Sequence, residues 1–260
     1  VMTLAVVGGV LFVQFRSDWI EDLHRESLSQ LKHIDFALIS FMTEADSDVA
    51  ALAANASVRT RQDQAFTSFL DADPETWVYD VGQVEQNIID LFNTFRLTHP
   101  YVNSVYMGRE NGSFVRSHRR AEPTRYDPRI RPWYVLARDN PGKVMHTSPY
   151  RSVTTSDVNI GVVTALVDEE GLVFGVVGAD ITLGSLTRYL SGIEVGHGGQ
   201  ILLLYQDGII LSSGDESQAF QPITSLLGDG AATLMSSQEG MLPFDTASGR
   251  GYLFFFTSPH

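Results

Sequence analysis

The apolar and polar positions divide the chain into a helical N-terminal part and a remainder dominated by strands. Residues 17 to about 58 contain neither glycine nor proline, and apolar side chains recur there at alternating intervals of three and four residues. This spacing predicts one long amphipathic helix, whose apolar stripe packs either on the chain's own sheets or on a second copy of the chain. The stripe consists of Leu28, Leu31, Leu38, Met42, Ala45, Val49 and Leu52, with Asp35 in its one gap.

A second helix and two hairpins are predicted next along the chain. Residues 84–95 place apolar side chains on one helical face, and Pro100 closes that helix. Residues 101–107 alternate and lead through Asn111-Gly112 to a returning strand at 113–117, which is a strong hairpin signal. Residues 158–167 and 172–180 are rich in valine and flank a second turn.

The last third repeats this pattern in a smaller form. Residues 183–195 predict a short amphipathic helix, and residues 200–205 and 209–213 flank a turn that contains Asp207-Gly208. A helical or loop stretch and a strand at 251–256 follow. The predicted fold class is α+β, with one long helix, a larger module and a smaller module.

The first fifteen residues are almost entirely apolar. At about 1.5 Å per residue they span roughly 22 Å, short of the ~30 Å hydrocarbon core of a bilayer. A signal peptide, a buried helix and a truncated membrane helix are the alternatives. The membrane helix fits best, because no Ala-x-Ala site follows and the run has no polar face. The chain's end shortly after an apolar strand favours truncation there too.

Charge and composition narrow the possible functions. The net charge is −13 and there is no cysteine, so nucleic acid is an unfavourable partner and disulfide, thiol and cysteine–zinc chemistry are excluded. No H-x-x-x-H pair, G-x-S-x-G motif or phosphate-binding loop is present. We therefore expect no catalytic residues, no metal and no cofactor in this part of the protein.

The segment 123–134, PTRYDPRIRPWY, concentrates the recognisable chemistry. Asp127-Pro128 is a helix-start signal, and residues 133–138 predict a short helix. The guanidinium of Arg131 and the indole N–H of Trp133 are donors that together can hold an anionic group. Seven arginines lie close together here in an otherwise acidic chain, and apart from Arg131 we interpret them as a solvated face. They are Arg109, Arg116, Arg119, Arg120, Arg125, Arg129 and Arg131.

The stretch YDPRIRPWY, followed by SPY at 148–150 and GADI at 178–181, resembles the double Cache sensor family of bacterial transmembrane receptors. The resemblance implies a long N-terminal helix and two PAS-like modules with antiparallel sheets. It implies a truncated membrane helix at 1–15, a stalk helix at 16–62, a membrane-distal ligand-binding module at 63–192 and a membrane-proximal module at 193–260.

The amino-acid-binding members of that family share a tyrosine, R-x-W-Y, a later tyrosine and an aspartate. By that resemblance Tyr126, Arg131 and Trp133 hold a ligand carboxylate, and Tyr134, Tyr150 and Asp180 hold its ammonium. A buried arginine and a buried aspartate in one pocket suit a zwitterion, and tyrosine faces add cation–π attraction. The competing interpretation of Asp180 is a helix N-cap, and that of Trp133 is core packing.

We therefore expect an extracytoplasmic domain that senses an amino acid, is attached to the bacterial cell membrane through its N-terminal helix and passes the signal across it. The alternatives are a sensor of a carboxylate, an amine or a purine, or a ligand-free dimerisation or partner-docking domain. A homodimer would form through the stalk helix.

Overall fold

The computed structural model of the protein describes residues 2–118, 124–151, 158–182, 184, 200–213, 215–218, 220–246 and 249–259. The first helix, α1, runs from Met2–Ala54 without interruption, which confirms the long N-terminal helix. It ends earlier than its apolar pattern indicated, because the side chain of Asn55 accepts a hydrogen bond from the backbone N–H of Ser57 at 2.9 Å and so favours a turn.

The apolar stripe of α1 is buried within this chain towards its C-terminal end. Ala45, Val49 and Leu52 are all buried, whereas Leu28 and Leu31 are only half-buried. At the gap in the stripe, which Asp35 occupies, the preceding residue Ile34 is buried instead. No helix in the described part of the chain combines the length and apolar character that a membrane span requires.

The second helix and both predicted hairpins are present. The helix α2 is Gln83–Thr98, the first hairpin joins β1 (Val102–Arg109) to β2 (Phe114–Arg116), and α3 is Pro132–Arg138. The strands that follow are β3 (Val144–His146), β4 (Tyr150–Arg151), β5 (Val158–Val167) and β6 (Val173–Thr182). They form one antiparallel sheet in the order β2-β1-β6-β5-β3, and β4 also pairs with β5.

The two faces of this sheet are covered by different elements. One face packs on the helices, where Val49 of α1, Phe95 of α2 and Val162 and Ala179 of the sheet surround a common gap. On the other face a Cβ added to Gly108 would lie 2.7 Å from Pro128 and 3.0 Å from Trp133, so the segment leading into α3 lies directly on β1. Side chains alternate between these faces along each strand.

The C-terminal part forms a smaller cluster of elements. The strands β7 (Leu203–Leu204) and β8 (Ile210–Ser212) make the predicted hairpin, and α4 (Thr224–Leu227) and α5 (Gly230–Ser236) follow. The strand β9 (Glu239–Thr246) pairs with β10 (Gly249–Phe256). The sequence did not predict β9, which carries Pro243 near its centre. A proline is tolerated there because each strand of a two-stranded sheet has an open edge.

Tertiary contacts divide the chain into two units. One comprises Val1–Phe41 together with Tyr189–His260, and the other is Met42–Arg188. The second unit therefore takes in the last turns of α1, which the sequence interpretation assigned to the stalk. Apart from residue 184, the helix expected at 183–195 lies outside the described residues.

Candidate functional site

The segment before α3 is held by short-range contacts that its sequence specifies. The side chain of Asp127 accepts a hydrogen bond from the backbone N–H of Arg129 at 3.0 Å, which starts a single 3₁₀ turn at Pro128–Ile130. The guanidinium of Arg129 binds the same carboxylate through both oxygens, at 2.9 and 2.8 Å, and this pairing lowers the pKa of Asp127. Arg131 ends the turn in an extended conformation and is the N-cap of α3.

Two of the neighbouring arginines, Arg109 and Arg116, have partners within the protein. Arg109 is fully buried and donates to the backbone carbonyls of Val58 at 2.6 Å and Thr60 at 3.0 Å, and burial lowers its pKa to about 10. Arg116 donates to the hydroxyl of Ser104 at 2.8 Å. Arg119 and Arg120 lie outside the described residues. The expectation of a solvated arginine face is therefore wrong for Arg109, which the core encloses.

Arg131 is held over an aromatic ring, and part of its hydrogen-bonding capacity is unused. Its guanidinium carbon lies 4.5 Å from the ring centroid of Tyr126, and Trp133 donates its indole N–H to the Tyr126 hydroxyl at 3.2 Å. Among the described contacts, Nε of Arg131 is buried and has no hydrogen-bond partner. We call Tyr126, Arg131 and Trp133 the arginine end of the site.

Asp180 lies on β6 as a buried carboxylate that accepts two tyrosine hydroxyls. Its side chain is only 8% exposed, and its Oδ1 accepts hydrogen bonds from Tyr106, at 2.7 Å, and from Tyr150. Burial raises the pKa of Asp180 to about 6, and the two hydroxyls and the positive charge of Arg116 oppose that rise. We call Tyr106, Tyr150 and Asp180 the aspartate end.

The sheet register explains why the aspartate end forms. Asp180 is paired with Ser104 of β1 on one side and with Gly161 of β5 on the other, so all three share one face. A Cβ added to Gly161 would lie 3.0 Å from the hydroxyl oxygen of Tyr106 and 3.1 Å from Cγ2 of Thr147. The absence of a side chain at Gly161 therefore gives the Tyr106 hydroxyl its place beside Asp180.

Aromatic packing connects the two ends. The rings of Tyr106 and Trp133 are 4.8 Å apart at an interplanar angle of 63°, an edge-to-face contact. Through this pair the Tyr126 hydroxyl at the arginine end is linked to the Asp180 carboxylate at the other end. The structure thus brings together five of the six residues that the sequence singled out, namely Tyr126, Arg131, Trp133, Tyr150 and Asp180.

Tyr134 is the exception. It is completely buried, and its hydroxyl donates to Oε1 of Glu110 at 2.8 Å. Glu110 lies six residues beyond Ser104, the β1 partner of Asp180, which is about 20 Å along an extended strand. Successive residues of a helix point about 100° apart, so Trp133 faces the site while Tyr134 points elsewhere. The structure does not bring Tyr134 to the ammonium position that the resemblance implied.

Tyr106 takes the place beside Asp180 that the resemblance gave to Tyr134. Its strand was predicted, but a tyrosine in an alternating apolar strand carries no mark of a binding residue. The available signal was the pair of glycines at 161 in β5 and 178 in β6, because glycines within strands indicate close approach by another group.

Part of this unit is similar to a known family of sensor domains. Residues 78–188 match the model of the methyl-accepting chemotaxis protein-like first PDC sensor domain. The chemotaxis proteins McpA of Pseudomonas putida and McpB of Bacillus subtilis are 30% and 26% identical over 47% and 62% of this chain. The chain covers only 19% and 23% of their lengths, about one fifth of each relative.

Solved structures share the fold across both units. The ligand-binding domain of the Pseudomonas fluorescens chemoreceptor CtaA, in complex with L-serine, has a TM-score of 0.62 and 21% identity, covering 89% of this chain and 95% of that one. The ligand-binding domain of Campylobacter jejuni Tlp3, in complex with 4-methylisoleucine, also gives 0.62, with 16% identity over 89% and 85% of the two chains. The α+β fold expected from the sequence is confirmed, and residues 78–188 are similar to the first PDC sensor domain of methyl-accepting chemotaxis proteins.

Proposed function

We propose that this chain is the extracytoplasmic ligand-binding part of a bacterial chemoreceptor and that it binds an amino acid between the arginine end and the aspartate end. Tyr126, Arg131 and Trp133 bind the α-carboxylate. Tyr150 and Asp180 bind the ammonium, with Tyr106 as the second hydroxyl. Tyr134 supports α3 from the opposite side through Glu110.

The observation that carries this proposal is a pair of oppositely charged side chains, Arg131 and Asp180, that can each make a further polar contact. The packed rings of Tyr106 and Trp133 connect them. Nε of Arg131 is a buried donor without a partner in the described structure. Asp180 is a buried carboxylate that, among the residues the structure describes, only neutral hydroxyls contact at hydrogen-bond distance. A buried charge is costly unless a counter-charge accompanies it, so an incoming zwitterion would satisfy both positions at once.

The related structures support the same ligand class. The CtaA domain was solved with L-serine and the Tlp3 domain with 4-methylisoleucine, and both ligands carry one carboxylate and one ammonium on the same carbon. A carboxylate, an amine or a purine would each leave one of the two ends without a charged partner. This difference is the reason to place the amino acid before those alternatives.

Calorimetric titration with the twenty proteinogenic L-amino acids tests the proposal. We expect at least one to bind, and Arg131→Gln to weaken that binding by about 10- to 100-fold, because a charge-assisted hydrogen bond contributes about 1.5–3 kcal/mol. Arg129→Gln is the matched control, since Arg129 is two residues away and already engaged by Asp127. Binding by none of the twenty to folded protein would refute the amino-acid assignment, and equal losses in both variants would refute the assigned site.

We further propose that residues 1–15 are part of a membrane helix and that the ligand signal crosses the cell membrane through α1 to an output domain elsewhere in the protein. The apolar run at the start of α1 and the family of residues 78–188 support this arrangement. In this proposal the sensor part performs no catalysis, and any enzyme activity belongs to the output domain. Protease protection of residues 1–15 in membrane vesicles, with residues 42–188 degraded only from the periplasmic side, is the expected result.

A homodimer through α1 completes the proposal. Two large aromatic side chains on this helix, Trp19 and Phe36, are 57% and 72% exposed. A second copy of α1 would cover them. Sedimentation analysis should show a dimer that a Trp19→Gln/Phe36→Gln double variant weakens, and an unchanged association constant would refute this interface.

A further inference from the structure

Asn159 is a buried polar residue on β5 that lies next to the aspartate end. Its side chain is 1% exposed, and within the described structure its Oδ1 atom is buried without a hydrogen-bond partner. A buried acceptor without a donor destabilises a folded protein, so its presence in a native structure calls for an explanation. Nothing in the resemblance drawn from the sequence assigns a role to this residue.

The strand register fixes the direction in which Asn159 points. It is two residues before Gly161, the partner of Asp180, so its side chain is on the same face of the sheet as the Asp180 carboxylate. On its other side it is paired with Tyr150 of β4. Diagonal neighbours on adjacent strands are about 7–8 Å apart, close enough for one small group to contact both side chains.

The Asp180 carboxylate engages its two hydroxyl partners through one oxygen. Tyr106 and Tyr150 both donate to Oδ1, so Oδ2 is the half of the carboxylate that a ligand can approach. A primary ammonium has three N–H donors, and one carboxylate oxygen satisfies only part of that capacity. An amide oxygen one diagonal step away is an acceptor of the right polarity for a second N–H.

We propose that Oδ1 of Asn159 accepts a hydrogen bond from the ligand's ammonium group and that this contact makes the site selective for a primary over a secondary amine. The inference rests on the proposed function and adds a specificity-determining residue to it. Arg131 Nε and Asn159 Oδ1 then have matching roles, since each is a buried polar atom at one end of the site that only the ligand satisfies.

The test uses the Asn159→Leu variant, which keeps the branched shape and the number of side-chain heavy atoms and removes the acceptor. Each proteinogenic L-amino acid that binds wild type is titrated alongside its Nα-methyl derivative. We expect Asn159→Leu to raise the Kd of the primary amine by about 10- to 100-fold, as one hydrogen bond to a charged group implies. The wild-type preference for the primary over the Nα-methyl ligand should shrink to within about threefold, because the variant has lost one ammonium acceptor.

Stability of the ligand-free protein separates this role from a structural one. Removing an unsatisfied buried acceptor should leave the melting temperature of Asn159→Leu equal to or above that of wild type. Thr164→Val is the control, because Thr164 is on the opposite face of β5 and donates to the Lys143 carbonyl at 2.9 Å. We expect this control to lower the melting temperature and leave the Kd unchanged.

Three results would overturn the inference. A lower melting temperature for Asn159→Leu would show that the amide stabilises the fold. An unchanged Kd, or an unchanged preference for the primary amine, would show that Asn159 does not contact the ammonium. In these cases wild type still binds amino acids and the proposed function stands, whereas failure of wild type to bind any of them overturns the proposed function and this inference together.

Discussion

Asp180→Asn should make the ligand-free protein more stable at neutral pH while abolishing amino-acid binding. Burial raises the pKa of Asp180 from 3.8 to about 6. Each pKa unit corresponds to about 1.4 kcal/mol, so keeping this carboxyl ionised in the folded state costs about 3 kcal/mol of stability at pH 7.5. The amide oxygen of asparagine can still accept the Tyr106 and Tyr150 hydroxyls, although burying its NH₂ group offsets part of the gain. We therefore expect a net gain of about 1–3 kcal/mol.

The direction in which the free energy of unfolding changes with pH follows from the direction of the Asp180 pKa shift. The folded-state pKa is raised, so the protonated carboxyl contributes stability that is fully present below about pH 4 and is lost as the pH rises through 6. Urea unfolding of wild type and Asp180→Asn should therefore give a stability difference that is small at pH 4, grows between pH 4 and 6 and is constant above about pH 7.

Asp127→Asn is a control of opposite sign. The pKa of Asp127 is lowered, chiefly by the hydrogen bond from Arg129, so its contribution is present at neutral pH and is lost as the pH falls. That variant should be less stable than wild type at pH 7.5 and approach it in acid. An Asp180→Asn protein that is less stable than wild type at pH 8, or whose difference from wild type does not vary with pH, would refute the argument from burial.

Three further outcomes follow from the same geometry. Amino-acid affinity should be constant between about pH 7 and pH 8 and fall about tenfold by pH 5, because only ionised Asp180 attracts an ammonium. Tyr134→Phe should change the Kd by less than about twofold and cost about 0.5–1.5 kcal/mol in urea unfolding, since it removes only the hydrogen bond to Glu110. Gly161→Ala should raise the Kd by roughly 3- to 10-fold in calorimetry, because the new methyl group displaces the Tyr106 hydroxyl from Asp180.

Each of these outcomes has a control or a contrary result. Gly82→Ala adds a methyl group where no atom lies within 4 Å, so its Kd should match wild type. A large loss of affinity in Tyr134→Phe would restore that residue to the ammonium site. Affinity that stays constant down to pH 5 would show that Asp180 is ionised throughout that range or does not contact the ligand.

The elements that the sequence predicted well are those whose local signals agree with their packing. The Asn111-Gly112 turn forms with Gly112 at a φ of 85°, a conformation that glycine adopts without strain. The strand β9 was missed because a proline within a short run argues against a strand unless an edge is open beside it. An open edge depends on which distant strands pair with each other, and a local sequence pattern does not show that pairing.

The sequence predicted which types of residue form the site, but it predicted the positions of their side chains only in part. The motif around Arg131 and the GADI segment at 178–181 indicated the two charged ends, but the roles of the tyrosines depend on register. Tyr134 follows Trp133 directly, yet one helical step turns its hydroxyl to Glu110. Tyr106 and Asn159 carry no motif, and they reach the aspartate end because β1 and β5 flank β6 with Gly161 opposite Asp180.

In the proposed function, the unfavourable burial of Asp180 also couples ligand binding to the geometry of this unit. Arg131 is the N-cap of α3, whereas Asp180 belongs to β6, so one bound zwitterion would join the start of a short helix to the central strand of the sheet. The free energy released there includes relief of the unfavourable burial of Asp180. A ligand shifts a conformational equilibrium only by its differential affinity for the two states. The conformation in which both ends lie close enough to share one ligand is therefore the one that binding populates.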